Sequence, residues 1–301
     1  MKEYTLAQQY ALIGLDGVDS KHWDMVKAAA IRGIAAAQLL EELLPDEDTV
    51  DLKIFQSELI KGTARIRHQK RRRGKRIGKE MADLLIADGT LEEVPDLIAC
   101  DVDYNSGNCE IKAYRTEPKT YQEITEWLRA EVLEEGPMTQ ECICMIWLLR
   151  ESGCLYELFS EAEQKKLDER MVTLAAESKL YGILWRSEFH SNWESMVGKF
   201  KQSKKRFFKE HPTWEGVNLV FPFLERRNAI FIDYVIFGTT VEDRRLAMVN
   251  YLTEQGHYVD MVKSGSETLL KIDNVYYRIF PTGRSIQGIP IQGAYLVAVH
   301  R

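Results

Sequence analysis

The 301-residue chain holds five cysteines, eight prolines and no long uncharged apolar run. Each shortage closes off a class of protein. An odd cysteine count (Cys100, Cys109, Cys142, Cys144 and Cys154) in a chain of this length fits reduced thiols in a cytosol, not a disulfide framework. Cys142 and Cys144 form C-x-C, but on a helix they point about 200° apart. No second Cys/His pair stands at metal spacing, so no metal is expected. No apolar run approaches the roughly 20 residues that span a bilayer. The longest, Ala229 to Gly238, is cut by Asp233. The start, MKEYTLAQQY, lacks the basic n-region and apolar h-region of a signal peptide, so none is expected, and any membrane contact should be peripheral.

Catalytic motifs are missing too. There is no P-loop, no G-x-S-x-G, no H-E-x-x-H and no glycine-rich phosphate cradle after a strand. The six histidines are scattered. No enzyme activity and no cofactor are expected. Acidic residues outnumber basic ones by 46 to 40, for a net charge of −6, which argues against the whole surface binding a polyanion. A local basic patch remains possible.

What is present is helical periodicity. Leu6 to Leu15 reads as a short helix closed by Asp16-Gly17. A long helix follows from about Lys21 to Leu44, with Val26, Ala30, Ile31, Ile34, Ala37, Leu40 and Leu44 on one stripe and Pro45 as its stop. Asp51 to Ile60 alternates enough to predict a strand or irregular edge. Arg65 to Lys79 is a dense basic run, predicted as a mobile loop that enters a helix at Ile77 to Ala87, capped by Gly89. Glu92 to Asn108 is acidic and turn-rich. Helices are predicted after Pro118, from Thr139 to Arg150, and after the capping box Ser160 to Glu163. Gly182 to Leu184 reads as a short strand, and a second capping box at Ser191 opens a basic helix through Phe208. Val217 to Phe237 is largely apolar on either side of Glu225-Arg226-Arg227-Asn228, so its apolar parts are expected in the interior, and Thr240 to Gln255 is predicted as a helix ended by Gly256. The last 45 or so residues alternate. Strands are predicted at His257–Lys263, Thr268–Asp273, Val275–Phe280 and Ala294–His300.

The basic run comprises Arg65, Arg67, His68, Lys70, Arg71, Arg72, Arg73, Lys75, Arg76 and Lys79. It admits three readings: a solvated loop, attraction to anionic lipid at about 1 kcal/mol per Lys or Arg, or nucleic acid. Aromatic interleaving, which single-strand binding wants, is absent there. The helices from Thr139 to Ser178, with the strand after them, also suggest a winged helix-turn-helix. The acidic Leu167-Asp168-Glu169 is a poor face to set against phosphate.

Leu12-Ile13-Gly14-Leu15, followed by His22-Trp23-Asp24 and Ile31-Arg32-Gly33, resembles the opening motif of the Golgi phosphoprotein 3 family. Thr116-Glu117-Pro118 with Glu126-Trp127-Leu128, then Glu169-Arg170-Met171, and finally Asp243-Arg244-Arg245-Leu246 follow in family order across residues 6 to 252. The resemblance implies a mainly α fold, a multi-helix hairpin bundle with short strands, here with a small C-terminal antiparallel β segment. It implies a helical domain over residues 1–255, and the change to an alternating pattern makes residues 256–301 a β-rich extension expected to pack on it. It also implies a peripheral membrane adaptor that binds phosphatidylinositol 4-phosphate on the cytosolic face of the Golgi and sorts cytosolic tails of membrane proteins.

The family's headgroup pocket carries over onto Trp23 and Arg32. Its later arginine pair falls at Lys165 and Asp168, one charge kept as an ammonium and one reversed, with Lys166 and Arg170 beside them to compensate. The basic stretch of Arg65, Arg67, Lys70, Arg71, Arg72, Arg73, Lys75 and Arg76 is assigned an auxiliary role at an anionic phospholipid surface. On one straight helix Trp23 and Arg32 would lie about 180° and about 13 Å apart. So either the helix starts later, near Ala28, with Trp23 on a lead-in loop, or the two act separately. The competing functions are a nucleic-acid-associated regulator with a winged-helix-like module, and a helical protein-interaction scaffold. Among partners, nucleic acid is not expected, and self-association as a homo-oligomer is.

Overall fold

A computed structural model describes residues 3–44, 51–97, 111–189, 230–233, 241–264, 268–286 and 289–299. It is mainly helical, with a small antiparallel sheet in its C-terminal part.

Helix α1, Leu6–Gly14, opens on a capping box between Thr5 and Gln8. Helix α2, Met25–Leu43, is capped by Asp24, whose carboxylate accepts from the Lys27 amide. The two pack tightly because Gly33 has no side chain: a methyl there would fall 2.0 Å from the Tyr10 hydroxyl. Helix α3, Leu52–Arg67, replaces the predicted strand. Its buried positions Phe55, Leu59 and Ile66 follow the 3.6 period. Ile54 and Ile60, which made the segment look alternating, are exposed at 64% and 53%. Helix α4, Arg71–Ala87, likewise replaces the predicted loop, so the basic run is two helix ends joined through His68-Gln69-Lys70. Its buried face is Gly74, Gly78, Met81, Ala82 and Leu85. The two glycines are core positions that an apolar count overlooks. Gly89, at φ 77°, closes α4 as expected.

Strands β1, Leu91–Pro95, and β2, Lys112–Thr116, pair antiparallel with Leu91 opposite Thr116. Helices α5, Pro118–Leu133, α6, Gln140–Ser152, and α7, Glu161–Glu177, lie where the pattern placed them. Buried from Cys142 to Ser152, α6 is the central helix, and it packs on α1 and α2. Its Trp147 meets Phe189 edge-on at 5.1 Å and donates to the Ser187 carbonyl. Burial pushes the Cys142 thiol well up and the Cys144 thiol up to about 12, so both behave as small apolar side chains. Gly182 to Leu184 is not a strand. It lies in α8, Lys179–Trp185, capped by Ser178, with Tyr181 and Leu184 turned inward. The winged-helix arrangement therefore loses its strand.

A second apolar core lies in the C-terminal part. There α9, Val241–Glu254, contributes Met248 and Leu252 against Leu270, Ile272, Tyr277, Ile279, Ala294 and Leu296. The sheet runs β3-β7-β6-β5-β4, all antiparallel, with β3 Ile230–Asp233, β4 Val259–Lys263, β5 Leu269–Ile272, β6 Val275–Ile286 and β7 Ile289–Val299. The last two strands are longer than predicted. Helix and sheet parts meet in a polar joint. The Arg115 guanidinium bonds Asp273 at 2.7 Å and Glu92 at 2.9 Å, and Asn274 donates to Asp16 and to the Thr116 carbonyl. The expected helix from Ser191 to Phe208, most of Val217 to Phe237, Cys100 and Cys109 lie outside the described residues.

Candidate functional site

The lead-in to α2 holds Trp23. Asp19 folds this loop by accepting from the Lys21 and His22 amides, both at 2.7 Å. Lys27 ties it from below, donating through Nζ to the carbonyls of Asp19 and Ser20. Trp23 thus lies just outside the helix, the first of the two arrangements that the geometry left open, although α2 starts at Met25, earlier than Ala28. Its half-buried ring rests on Gly74 of α4, where a methyl would fall 2.7 Å from the ring edge, and the Arg71 guanidinium stands 5.8 Å over it. Next to it, Met25 is 41% exposed.

Arg32 lies on the α2 stripe of Ala28, Arg32, Ala35 and Leu39, all half-buried. Burial pulls its guanidinium below the ordinary arginine value, and among the described residues it has no hydrogen bond or ion pair. Gly78 of α4 accepts Ile31 of α2 as Gly74 accepts Trp23, so the two glycines, four apart, bring the basic helix onto α2 and its lead-in.

From Arg65 to Lys79 there is no acidic residue. Arg76 and Lys79 pair with Glu80 and Asp83 further along α4, and Arg67 donates to the Glu188 carbonyl. Arg65, Lys70, Arg71, Arg72, Arg73 and Lys75 are exposed and form no ion pair among the described residues. The corner of α3 and α4 is therefore a fixed cluster of solvated cations with an aromatic ring at its edge.

Lys165, Lys166 and Arg170 are elsewhere. They lie on α7, whose principal neighbours are α5 and α8. Lys165 and Lys166 are exposed, and Arg170 donates to the Gly136 carbonyl. Helices α2, α3 and α4 are not among the main neighbours of α7.

Sequence reasoning passed over a cleft of about 250 Å³ between α5 and the sheet. It is lined by Tyr121, Gln122, Thr125, Glu126 and Arg129 on one side and Lys271, Tyr276 and Val299 on the other. It joins residues about 150 positions apart, and no local pattern marks it.

Among the described residues no helix is long and apolar enough to cross a membrane, and no group of three or more His, Cys, Asp or Glu side chains is placed to hold a metal ion. Comparison with family models, with curated proteins and with solved structures finds no match to this chain.

Proposed function

We propose that this chain is a peripheral membrane protein that binds anionic, phosphoinositide-like headgroups through the α3–α4 corner. The observation that carries the reading is the cluster itself: six exposed cations that form no ion pair among the described residues, on and between two helices packed against α2. At an anionic surface each contributes about 1 kcal/mol. Trp23 and Met25 supply the apolar contact that favours a lipid interface over a purely polar polyanion. Arg32, half-buried with no carboxylate partner among the described residues, supports a bidentate phosphate contact. The helical-hairpin arrangement, the likeness to Golgi phosphoprotein 3 and the sorting of cytosolic tails belong to the same proposal. So do the cytosolic-face location and the helical domain of residues 1–255 with its β-rich extension.

The test is liposome flotation with phosphatidylcholine vesicles alone, with phosphatidylserine, and with phosphatidylinositol 4-phosphate. Binding should require anionic lipid and should weaken in the Trp23→Ala, Arg32→Ala double variant. Equal binding by wild type and double variant removes the headgroup contact at Trp23 and Arg32. Equal flotation on neutral and anionic vesicles removes the reading altogether.

A further inference from the structure

The cleft between α5 and the sheet has the opposite charge from the basic corner. Its charged lining residues are Glu126, Arg129, Glu157 and Lys271. Both cations are offset close by. Arg129 is held by Glu163 at 2.7 Å and donates to the Leu158 carbonyl at 2.6 Å. Lys271 stands opposite Asp260 in the β4–β5 register. With Glu163 and Asp260 counted beside Glu126 and Glu157, four carboxylates surround two cations. The cleft therefore carries a negative surplus.

Charge alone does not make a site, but a second feature points the same way. Asn274, in the turn between β5 and β6, lines the cleft and is only 7% exposed. Its Nδ2 donates to Asp16 at 2.8 Å and to the Thr116 carbonyl at 2.9 Å, and neither of these lines the cleft. Two accepting partners fix which end of the amide is the nitrogen. The other end, Oδ1, is buried and meets no donor among the described residues. Buried acceptors are nearly always paired. This one lacks the N–H that an incoming group would bring.

We infer that this cleft binds a primary ammonium group, carried by a small aliphatic amine or by a lysine side chain of a partner. An ammonium has three donors and no acceptor, and Asn274 Oδ1, Glu126 and Glu157 are acceptors on three separate segments: the β5–β6 turn, α5 and the short helical turn Leu155–Leu158. A tetrahedral ammonium meets acceptors spread in this way. A guanidinium is a planar fork suited to the two oxygens of one carboxylate. The rings of Tyr121 and Tyr276, also in the lining, attract a cation as well. Other ligand classes fit less well. An anion would meet the carboxylate surplus, and a neutral hydroxyl would serve Asn274 but leave that surplus unanswered. At about 250 Å³ the cleft is smaller than a drug-sized site, so it takes a slim chain. The site is distinct from the α3–α4 corner and independent of the membrane reading.

Amide NMR of the full chain tests it. The protein is titrated at constant ionic strength with n-butylamine and with a lysine blocked at its backbone amine and carboxyl, and butyrate and butanol serve as controls. Both amines should give saturable shifts at the amides of Tyr121 to Arg129 and of Lys271 to Tyr276, and neither control should. Tighter binding of butylamine assigns the cleft to free small amines, and tighter binding of the blocked lysine assigns it to a partner's side chain. Glu126→Gln and Glu157→Gln should each weaken amine binding about threefold. Lys271→Gln removes a cation from the lining and should strengthen binding by about the same factor, a gain that damage to the fold would not produce. All three side chains are exposed or half-buried, and thermal melts check that the variants remain folded. The inference is overturned if neither amine saturates, or if butyrate binds as tightly as butylamine. It is equally overturned if the three substitutions leave amine affinity unchanged.

Discussion

Set the start of α4 beside the starts of the other helices. Thr5, Asp24, Asp51, Glu117, Thr139, Ser160 and Ser178 each place a side-chain oxygen on the amides of the first turn of α1, α2, α3, α5, α6, α7 and α8. The capping position of α4 is Lys70, which makes no such bond, and the first turn is Arg71-Arg72-Arg73. Positive side chains at a helix N-terminus oppose the macrodipole, and a missing cap leaves amides to water alone. Among the helix starts whose capping residue is described, seven obey the local rule and one breaks it twice, at the point where the charge is densest. Consistency across levels is the rule in a foldable sequence, and departures gather where function requires them. The anchorage of α4 comes from its buried face, in which Gly74 and Gly78 let Trp23 and Ile31 approach.

The largest way to break this contrast is to reverse it. Arg71→Glu, Arg72→Glu and Arg73→Glu together should reduce flotation on anionic vesicles by about a hundredfold or more, since each cation contributes about 1 kcal/mol at such a surface. The same change should leave urea stability equal or higher, because acids suit that turn. A variant that loses both binding and stability would show that the arginines hold the fold.

Next in size is an assault on the face that does hold α4. A methyl on Gly78 already falls 2.5 Å from Ile31 Cδ1, and Ile31 is 1% exposed. Gly78→Leu therefore overpacks the α2–α4 contact, at about 1–3 kcal/mol. The gain from replacing glycine within a helix offsets up to about 1 kcal/mol. Urea denaturation should show a net loss of roughly 1–2 kcal/mol. A stabilised variant would mean that the glycines are not packing positions.

Removing a cap should cost less. The Ser160 hydroxyl accepts from the Glu163 amide, and the Ser160 amide donates to the Glu163 carboxylate in return. Ser160→Ala should cost about 1 kcal/mol in chemical denaturation. A loss below about 0.3 kcal/mol would imply that packing, not capping, fixes the start of α7.

These differences also explain what was readable in advance. Caps and periodicity lie within a few residues of each other, so α1, α2, α5, α6, α7 and the C-terminal strands were legible from spacing. The α3–α4 region was not, for two physical reasons. Ile54 and Ile60 are exposed, which broke the apparent helical stripe, and glycines at the closest helix contacts carry no apolar signal. A dense charge run resembles a solvated loop unless one sees that Gly74, Gly78 and Met81 lie on one side of it. The short α8 was mistaken for a strand because Ile183-Leu184 is apolar and too brief to show a period. Joints between distant segments left no trace at all. Asn274 meets Asp16 across 258 positions, and nothing local at either end announces the other. The site was legible in part: Trp23 outside the helix was one of two arrangements that the geometry left open, while its contact with the basic helix needed the fold.

Acid should sharpen the contrast with a smaller effect. Burial raises the Glu163 and Glu117 carboxyls, but hydrogen bonds from Ser160 and Arg129, and from Thr120 and Lys119, outweigh it and hold both below the ordinary glutamate range. A carboxyl with a lower pKa folded than unfolded contributes its full stabilisation above its unfolded value, about 4.3. That contribution drains away as pH falls through the folded value. The starts of α5 and α7 should then lose amide-exchange protection as pH falls below about 4, after correction for intrinsic exchange rates. The start of α4 has no carboxylate cap to protonate, so its protection should not change over the same range. Parallel loss at all three starts would refute the distinction.

The smallest effect is the most discriminating, because its sign is opposite to what most substitutions produce. Lys70→Asp gives α4 the cap it lacks, with a carboxylate set to accept from the second or third amide and an acid at the positive end of the dipole. Most substitutions destabilise. This one should raise stability by about 0.5–1 kcal/mol in urea denaturation. It should also weaken flotation on anionic vesicles by more than tenfold, since one cation is lost and one anion gained at about 1 kcal/mol each. Gain in one assay with loss in the other is the signature of a residue retained for binding at the expense of its helix. If Lys70→Asp lowers stability instead, the uncapped start is structurally required by contacts with the lead-in loop at Trp23, and the contrast with the seven capped helices carries no functional meaning.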